Sequence, residues 1–153
     1  MESLHPRIMI IWLFQGIILA TLFAGVALAV EIFFLDIGYW VAAATFGIVL
    51  LIVIVHTILR YRIWGFEIRN DELYLERGVI TRVNTVVPHV RIQHVDSRRG
   101  PIERALRLAT TVVYTAGSRG ADVMVPGLTP DRSEALQDEL KRLAIETEGE
   151  DAV

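Results

Sequence analysis

The sequence contains no cysteine, which excludes disulfide bonds, cysteine-ligated zinc and thiol catalysis in this chain. Lysine is nearly absent as well, because Lys141 is the single lysine among 15 cationic residues. Charge of either sign is missing from two long stretches, residues 8–30 and residues 37–59. These stretches raise the mean hydropathy to +0.45 and exclude both a plain soluble globule and a disordered chain.

Each uncharged stretch is long enough to cross a bilayer as a helix. At about 1.5 Å per residue, a stretch of this length spans roughly 34 Å, slightly more than a hydrocarbon core of roughly 30 Å. The connection from Glu31 to Asp36 is so short that the two helices must be antiparallel. The sequence therefore predicts a transmembrane α-helical hairpin over residues 1–62.

The placement of arginine predicts the orientation of this hairpin. Arg7 precedes the first span, Arg60 and Arg62 close the second, and the connection between the spans has no cation. By the positive-inside rule, both termini lie in the cytoplasm and the protein is a multi-pass protein of the inner (cytoplasmic) membrane. A signal peptide cleaved after Ala27-Leu28-Ala29 is the alternative. It is disfavoured because the apolar run is too long and a second span follows at once.

After Arg62 the hydrophobic period changes from helical to alternating. Short alternating or β-branched segments separated by turn residues predict six or seven antiparallel strands. The segments are residues 64–69, 73–76, 81–87, 90–96, 110–115 and 122–125. Residues 100–106 predict a short helical turn with a proline near its start, and residues 116–120 predict a loop.

A C-terminal helix is predicted from Thr129 onward, because Thr129 suits the N-cap and Pro130 the first helical position. Its stripe of Leu136, Leu140 and Leu143 would plug the open end of a bent sheet or partial barrel. From Glu146 the chain is expected to fray. The predicted domains are the hairpin (residues 1–62), a cytoplasmic domain (residues 63–146) and an acidic tail (residues 147–153).

Three short patterns behind the hairpin give the chain a family resemblance. They are Arg91-x-Gln93-His94-Val95, Pro101-x-Glu103-Arg104 and Thr115-Ala116-Gly117. In this order, the chain resembles the bacterial pleckstrin-homology-like (PH-like) membrane proteins, the membrane-flanked domain family, over nearly its whole length. The resemblance implies an α+β cytoplasmic domain, a PH-like barrel or sandwich of two antiparallel sheets capped by a helix, but no ligand. Arg107 departs from the family, which usually has glycine there.

Sequence motifs for catalysis are missing. No P-loop, dinucleotide-binding glycine pattern, His-Glu-x-x-His or nucleophile elbow occurs. His89 and His94 are five residues apart, which places them on opposite faces of a strand and favours surface or capping roles over joint metal ligation. The expectation is a protein that is not an enzyme, with no catalytic residue, no metal and no cofactor.

Charge is divided between the two halves of the cytoplasmic part. Residues 77–119 carry eight arginines and two acids, a net charge of +6, whereas residues 122–153 carry a net charge of −6. The candidate ligand or interface residues all lie in the basic half. They are Arg91, Gln93, His94, Arg98, Arg99 and Arg104.

Three functions are compatible with this basic stretch. In the favoured one, the arginines Arg91, Arg98 and Arg104 form an internal network with Asp96 and Glu103. The domain is then an assembly module that binds a second copy or another membrane protein. In the second, the arginines sense or bind anionic lipid headgroups. In the third, the protein is an accessory subunit of a membrane transport or secretion complex. Nucleic-acid binding is disfavoured, because the cytoplasmic part is nearly neutral and lacks stacked aromatics.

Overall fold

The computed structural model describes residues 1–35, 37–117 and 122–150. The chain folds into two compact units. The strand unit combines Met1–Ile8 with the chain from Arg62 onward, and the helical unit is Met9–Tyr61. Nothing in the sequence had suggested that the first eight residues would join the strand unit. The predicted domain boundaries stay predictions.

The helical unit contains both predicted helices. Helix α1 covers Ile8–Val30 and continues as a π-helical turn over Glu31–Leu35, and helix α2 covers Trp40–Ile63. Both are long and apolar enough to cross a membrane. Helix α2 begins three residues later than predicted. Gly38 has a φ of +131° there, and its N–H donates to the carboxylate of Glu31.

The strand unit contains seven antiparallel strands in two sheets. The first sheet has the order β1 (Glu2–Ser3), β2 (Gly65–Ile68), β3 (Glu72–Arg77) and β4 (Val83–Pro88). The second has the order β5 (Ile92–Arg98), β6 (Ala109–Thr115) and β7 (Val123–Leu128). A 3₁₀ turn (His89–Arg91) precedes β5, and helices α3 (Pro101–Ala105) and α4 (Pro130–Glu150) follow β5 and β7. The predicted fold class, a helical hairpin with a PH-like sandwich and a C-terminal helix, is confirmed.

Alternation of apolar residues explains how this unit folds. Leu73 and Leu75 on β3 are fully buried, and β2 and β3 form the predicted hairpin around residues 70–71. The N-cap of α4 is also as predicted, since Thr129 Oγ1 accepts the N–H of Arg132 at 3.3 Å. Leu136 and Leu140 of this helix are fully buried in the core.

The structure differs from prediction at both ends of the strand unit. Strand β1 was not predicted; it pairs with β2, and Glu2 accepts two hydrogen bonds from Arg132 at 2.6 and 2.7 Å. Helix α4 runs to Glu150, so the fraying expected from Glu146 is wrong up to that residue. An ion pair from Arg142 to Glu146 at 3.7 Å spans this turn of the helix. Residues 118–120 of the predicted loop and residues 151–153 of the predicted tail lie outside the described residues.

One end of the four-stranded sheet leads into the helical unit. Ser3 at the end of β1 pairs with Gly65 at the start of β2, and Gly65 pairs with Glu76 near the end of β3. The chain leaves this end through residues 4–8 toward α1 and returns to it from α2 through Trp64. We call it the junction end. The turn between β2 and β3 lies at the opposite end, about 17 Å away along β3.

Candidate functional site

The six candidate residues are all exposed, but they divide between two places on the strand unit. One group lines a groove beside β5: Arg91, Gln93 and His94. The other group lies on the last residue of β5 and the chain that follows it: Arg98, Arg99 and Arg104. The structure therefore does not gather the six in one site, although Tyr114 contacts both His94 of the first group and Arg98 of the second.

The groove lies between the first half of β5 and the last third of α4. It encloses about 590 Å³, and its helical wall is formed by Lys141, Ala144, Ile145 and Glu148. β5 is an edge strand, and its register with β6 shifts between Ile92 and His94, which leaves Gln93 bulged. Further along, α4 covers the edge, because Gln137 Nε2 donates to the Val95 carbonyl at 2.6 Å. The groove thus gives access to a short length of strand edge.

His94 belongs to a stack of side chains on the sheet. Its ring lies nearly parallel to that of Tyr114 with centroids 4.1 Å apart. The guanidinium of Arg98 lies 5.8 Å from the centre of the Tyr114 ring and donates to its hydroxyl. His94 and Arg98 therefore both pack against one residue of β6, Tyr114.

His89 lies in the core, so the surface position expected for it is wrong. Its side chain is 0% exposed, and neither ring nitrogen has a hydrogen-bond partner among the described residues. Burial lowers the pKa of His89, while the charge of Asp71, the nearby backbone of Asn70 and the charges of Glu72 and Glu139 oppose the shift. The ring is therefore neutral at pH 7.

No three His, Asp or Glu side chains converge as metal ligands do anywhere in residues 1–35, 37–117 and 122–150. The expectation that the protein binds no metal stays a prediction.

The predicted pairing of Arg104 with Glu103 is wrong. Glu103 is the third residue of α3, and its carboxylate accepts the N–H of the N-cap residue Gly100 at 2.7 Å, which is one half of a capping box. Its other oxygen accepts the hydroxyl of Thr110 at 2.5 Å. The carboxylate is thus already used by backbone and hydroxyl donors, and Arg104 extends into solvent.

The predicted pairing of Arg91 with Asp96 is wrong for a different reason. The two residues are five apart along an extended chain, which separates them by about 17 Å. No ion pair joins Arg91, Arg99 or Arg104 to a carboxylate within the described part of the chain. These arginines therefore present uncompensated positive charge.

The second group of candidates lies at the junction end. Arg7, the residue before α1, donates from its guanidinium to the Leu106 carbonyl at 3.3 Å, which places α3 beside the chain that leads into α1. The strand registers and this contact together place eight arginines at the junction end. They are Arg7, Arg62, Arg77, Arg82, Arg98, Arg99, Arg104 and Arg107. The opposite end carries charges of both signs. Its acids are Asp71, Glu72, Glu146 and Glu148, and its cations are Arg69, Arg91, Lys141 and Arg142.

Sequence reasoning missed the cluster of arginines at the junction end because its members are distant in the chain. Arg7 and Arg62 were interpreted only as markers of orientation, and Arg77 only as part of a basic stretch. The register of the β2–β3 hairpin would have shown that these arginines lie together. A turn at residues 70–71 sets the end of β3 opposite the start of β2, and thus next to the end of α2.

The comparisons with known proteins agree with this architecture. The family model described as "Bacterial PH domain" matches residues 10–144. The chain is also 29% identical over 153 residues to the UPF0699 transmembrane protein YdbS of Bacillus subtilis (strain 168), covering 96% of this chain and 94% of that protein. No solved structure matches the chain significantly. With a transmembrane relative and two apolar helices of spanning length, this is a membrane protein, and it belongs to the bacterial PH domain family.

Proposed function

We propose that this protein crosses the membrane twice, keeps both termini in the cytoplasm, and holds its PH-like domain against anionic lipid headgroups. It acts as an interaction module and not as an enzyme. The topology is supported by the strand unit, in which β1 precedes α1 yet pairs with β2, which follows α2. Both ends of the helical hairpin are thereby joined to one folded unit.

The observation that carries the proposal is the set of arginines at the junction end. Arg99 and Arg104 are exposed and have no carboxylate partner among the described residues, and Arg7 lies next to the same short helix. An arginine near an anionic membrane surface contributes about 1 kcal/mol of binding free energy. This attraction acts within a Debye length of roughly 8–10 Å, so the positive end must face the bilayer to benefit.

Amide hydrogen exchange of the full chain in nanodiscs tests this proposal. We expect residues 98–108 to exchange more slowly in phosphatidylcholine discs that contain phosphatidylglycerol than in discs of phosphatidylcholine alone. High salt should remove the difference, because screening weakens exposed charge pairs. The variant Arg99→Gln/Arg104→Gln should show little difference between the two lipids.

The matched control is Arg69→Gln/Arg142→Gln, which also removes two exposed arginines. Arg69 pairs with Glu67 and Glu72, and Arg142 with Glu146, so neither lies free at the junction end. The control should keep the lipid dependence of the wild type. Equal exchange of the wild-type chain in both kinds of disc would refute headgroup binding.

A second candidate function is assembly through the groove beside β5. We propose it because an extended segment of another protein can add to a free strand edge, and the bulge at Gln93 exposes such an edge opposite Ile145. The partner is either a second copy or a larger membrane protein. In the latter case the chain would be an accessory subunit.

Photocrosslinking in native membranes tests assembly. A benzophenone amino acid replacing Gln93 should give an adduct, whose mass separates a second copy from a larger protein. The same probe replacing Glu134, which is exposed elsewhere on α4, is the control and should give none. Failure to form any adduct at position 93 would contradict assembly through this groove.

A further inference from the structure

The connection between β3 and β4 presents an apolar side chain to its surroundings. Ile80, at the tip of this connection, is 94% exposed, more than any other large apolar residue in the described part of the chain. Single exposed apolar residues are common on protein surfaces and need no explanation by themselves. Ile80 is informative because of where the connection lies, how it is held, and what flanks it.

The strand register places Ile80 at the junction end. Arg77 and Val83, which close the connection, are paired with each other, and Glu76 is paired with Gly65. Gly65 follows the end of α2 after a single residue, Trp64. The connection therefore extends from the junction end of the sheet, to which both spans are joined.

The turn itself holds Ile80 outward. Gly78 has a φ of +98°, a conformation that other residues rarely adopt, and a Cβ there would collide with the carbonyl oxygen of Thr81. The glycine thus permits a tight turn that carries residue 80 beyond the end of the strands. Exposure of Ile80 follows from this fixed geometry.

Arginines flank this tip on both sides. Arg77 is exposed, and Arg82 is 70% exposed with a long contact of 3.4 Å to Glu76. The same arrangement recurs on α3, where Ile102 is 47% exposed between Arg99 and Arg104. An apolar tip surrounded by guanidinium groups matches the boundary between acyl chains and phosphates, where each part meets its preferred surroundings.

Ile145 shows the contrasting case. It is 69% exposed on the last third of α4, but its neighbours in the chain include Glu146 and Glu148. It lies beside Arg91 and the 3₁₀ turn, at the end of the unit opposite the junction. Acids and cations are mixed in this region, because Glu148 lies beside Arg91 and Lys141. Ile145 therefore serves as a control of similar exposure at the end away from the junction.

We propose that Ile80 inserts into the boundary between headgroups and acyl chains of the cytoplasmic leaflet, with Arg77 and Arg82 at the level of the phosphates. This inference rests on the proposed function, because insertion requires the junction end to face the bilayer. It adds an apolar anchor to the electrostatic attraction. The anchor fixes one orientation of the domain and leaves the groove beside β5 facing the cytoplasm.

The absence of cysteine makes a direct test possible. Full-length Ile80→Cys, Ala105→Cys and Ile145→Cys chains are each labelled with a nitroxide in nanodiscs of phosphatidylcholine and phosphatidylglycerol. Collision of the label with oxygen, which concentrates in the acyl region, is compared with collision with a water-soluble nickel complex. We expect the label at position 80 to favour oxygen, the label at position 105 to be partly shielded, and the label at position 145 to favour nickel.

The three labels separate the two proposals. A label at position 80 that is as accessible to nickel as that at position 145, with position 105 still shielded, would overturn insertion and leave headgroup binding intact. Equal accessibility of all three labels to nickel would overturn both. A second variant, Ile80→Ser, tests the anchor through the ratio of membrane-docked to undocked domains, measured by the shielding of the label at position 105. This ratio should fall on the order of tenfold, because the burial of an isoleucine is lost. Ile80→Leu should preserve the ratio. An unchanged ratio in the serine variant would also overturn the insertion.

Discussion

At the scale of single residues, Arg107 shows how a local conformation limits the choice of side chain. It has a φ of +54° and follows the end of α3. The Leu108 N–H donates to the Glu103 carbonyl at 2.8 Å, and the Arg107 N–H to the Arg104 carbonyl at 3.2 Å. These bonds define a Schellman motif whose left-handed position usually belongs to glycine. The family's preference for glycine there thus has a backbone cause.

We therefore predict that Arg107→Gly raises the stability of the full chain, by about 0.5–1 kcal/mol, because a side chain in the left-handed region is strained. Arg107→Val should lower it by about 1–2 kcal/mol, since a β-branched residue tolerates a positive φ least. Thermal unfolding in detergent gives the order of melting temperatures as glycine, arginine, valine. A valine variant as stable as the wild type would contradict a left-handed residue 107.

His89 supports a prediction about pH. Burial lowers its pKa in the folded state, so the unfolded chain binds the proton more readily. The stability contribution is complete above the unfolded pKa of about 6.5 and is lost as pH falls toward the folded pKa. We expect His89→Leu to match or exceed wild-type stability at pH 7.5, because the buried unpaired nitrogens are removed.

The test is the melting temperature of both full-length chains between pH 7.5 and pH 5.5. The wild type should lose stability over this range more steeply than His89→Leu. If the melting temperatures of the two chains fall in parallel with pH, burial of His89 does not lower its pKa and the prediction is wrong.

At the scale of elements, Gly16 allows a close approach between α1 and α2. A Cβ at Gly16 would collide with Val53, whereas a Cβ at Gly25 would meet no atom within 4 Å. The two glycines are otherwise alike, since both are internal to α1. Their alanine variants therefore separate helix propensity from helix packing.

We predict that Gly25→Ala is neutral or stabilising by up to about 1 kcal/mol, as alanine favours a helix. Gly16→Ala should destabilise the hairpin by about 1–3 kcal/mol through overpacking. Unfolding of the full chain in detergent measures both. Adding Val53→Ala to Gly16→Ala should restore part of the loss; if it restores nothing, the close approach at Gly16 is wrong.

Sequence patterns predicted the elements where the local signal was strong. The alternation around Leu73 and the cap at Thr129 specify a strand and a helix start by themselves, and both were found. Strand β1 could not be predicted, because its two residues have no period and form a strand only through Gly65, which is more than sixty residues away. The predicted ion pairs of Arg91 and Arg104 were wrong because they were inferred from nearness in sequence alone. Nearness in sequence says little about distance once the chain is extended or a carboxylate is used by a cap.

At the scale of the whole molecule, the two ends of the strand unit differ in charge. The sequence shows a basic half and an acidic half, and the register places most arginines of the basic half, though not Arg91, at the junction end. Separated charges of this kind orient a tethered domain toward an anionic surface without any specific pocket. Which end is basic could be derived only after the strand order was known, since Arg7, Arg62 and Arg77 meet through pairing and not through sequence.

The two-span topology gives the last prediction. Because β1 pairs with β2 and Glu2 pairs with Arg132, residues before α1 and after α2 must lie on the same side of the membrane. Under the proposed two-span topology, the arginines before α1 and after α2 predict that this side is the cytoplasm. In chains with a single cysteine, a membrane-impermeant maleimide should label Phe34→Cys in right-side-out vesicles. It should label Ser3→Cys and Ile145→Cys only in inverted vesicles. Labelling of positions 3 and 145 from outside would reverse the orientation, and labelling of the two from opposite sides would contradict the pairing of β1 with β2.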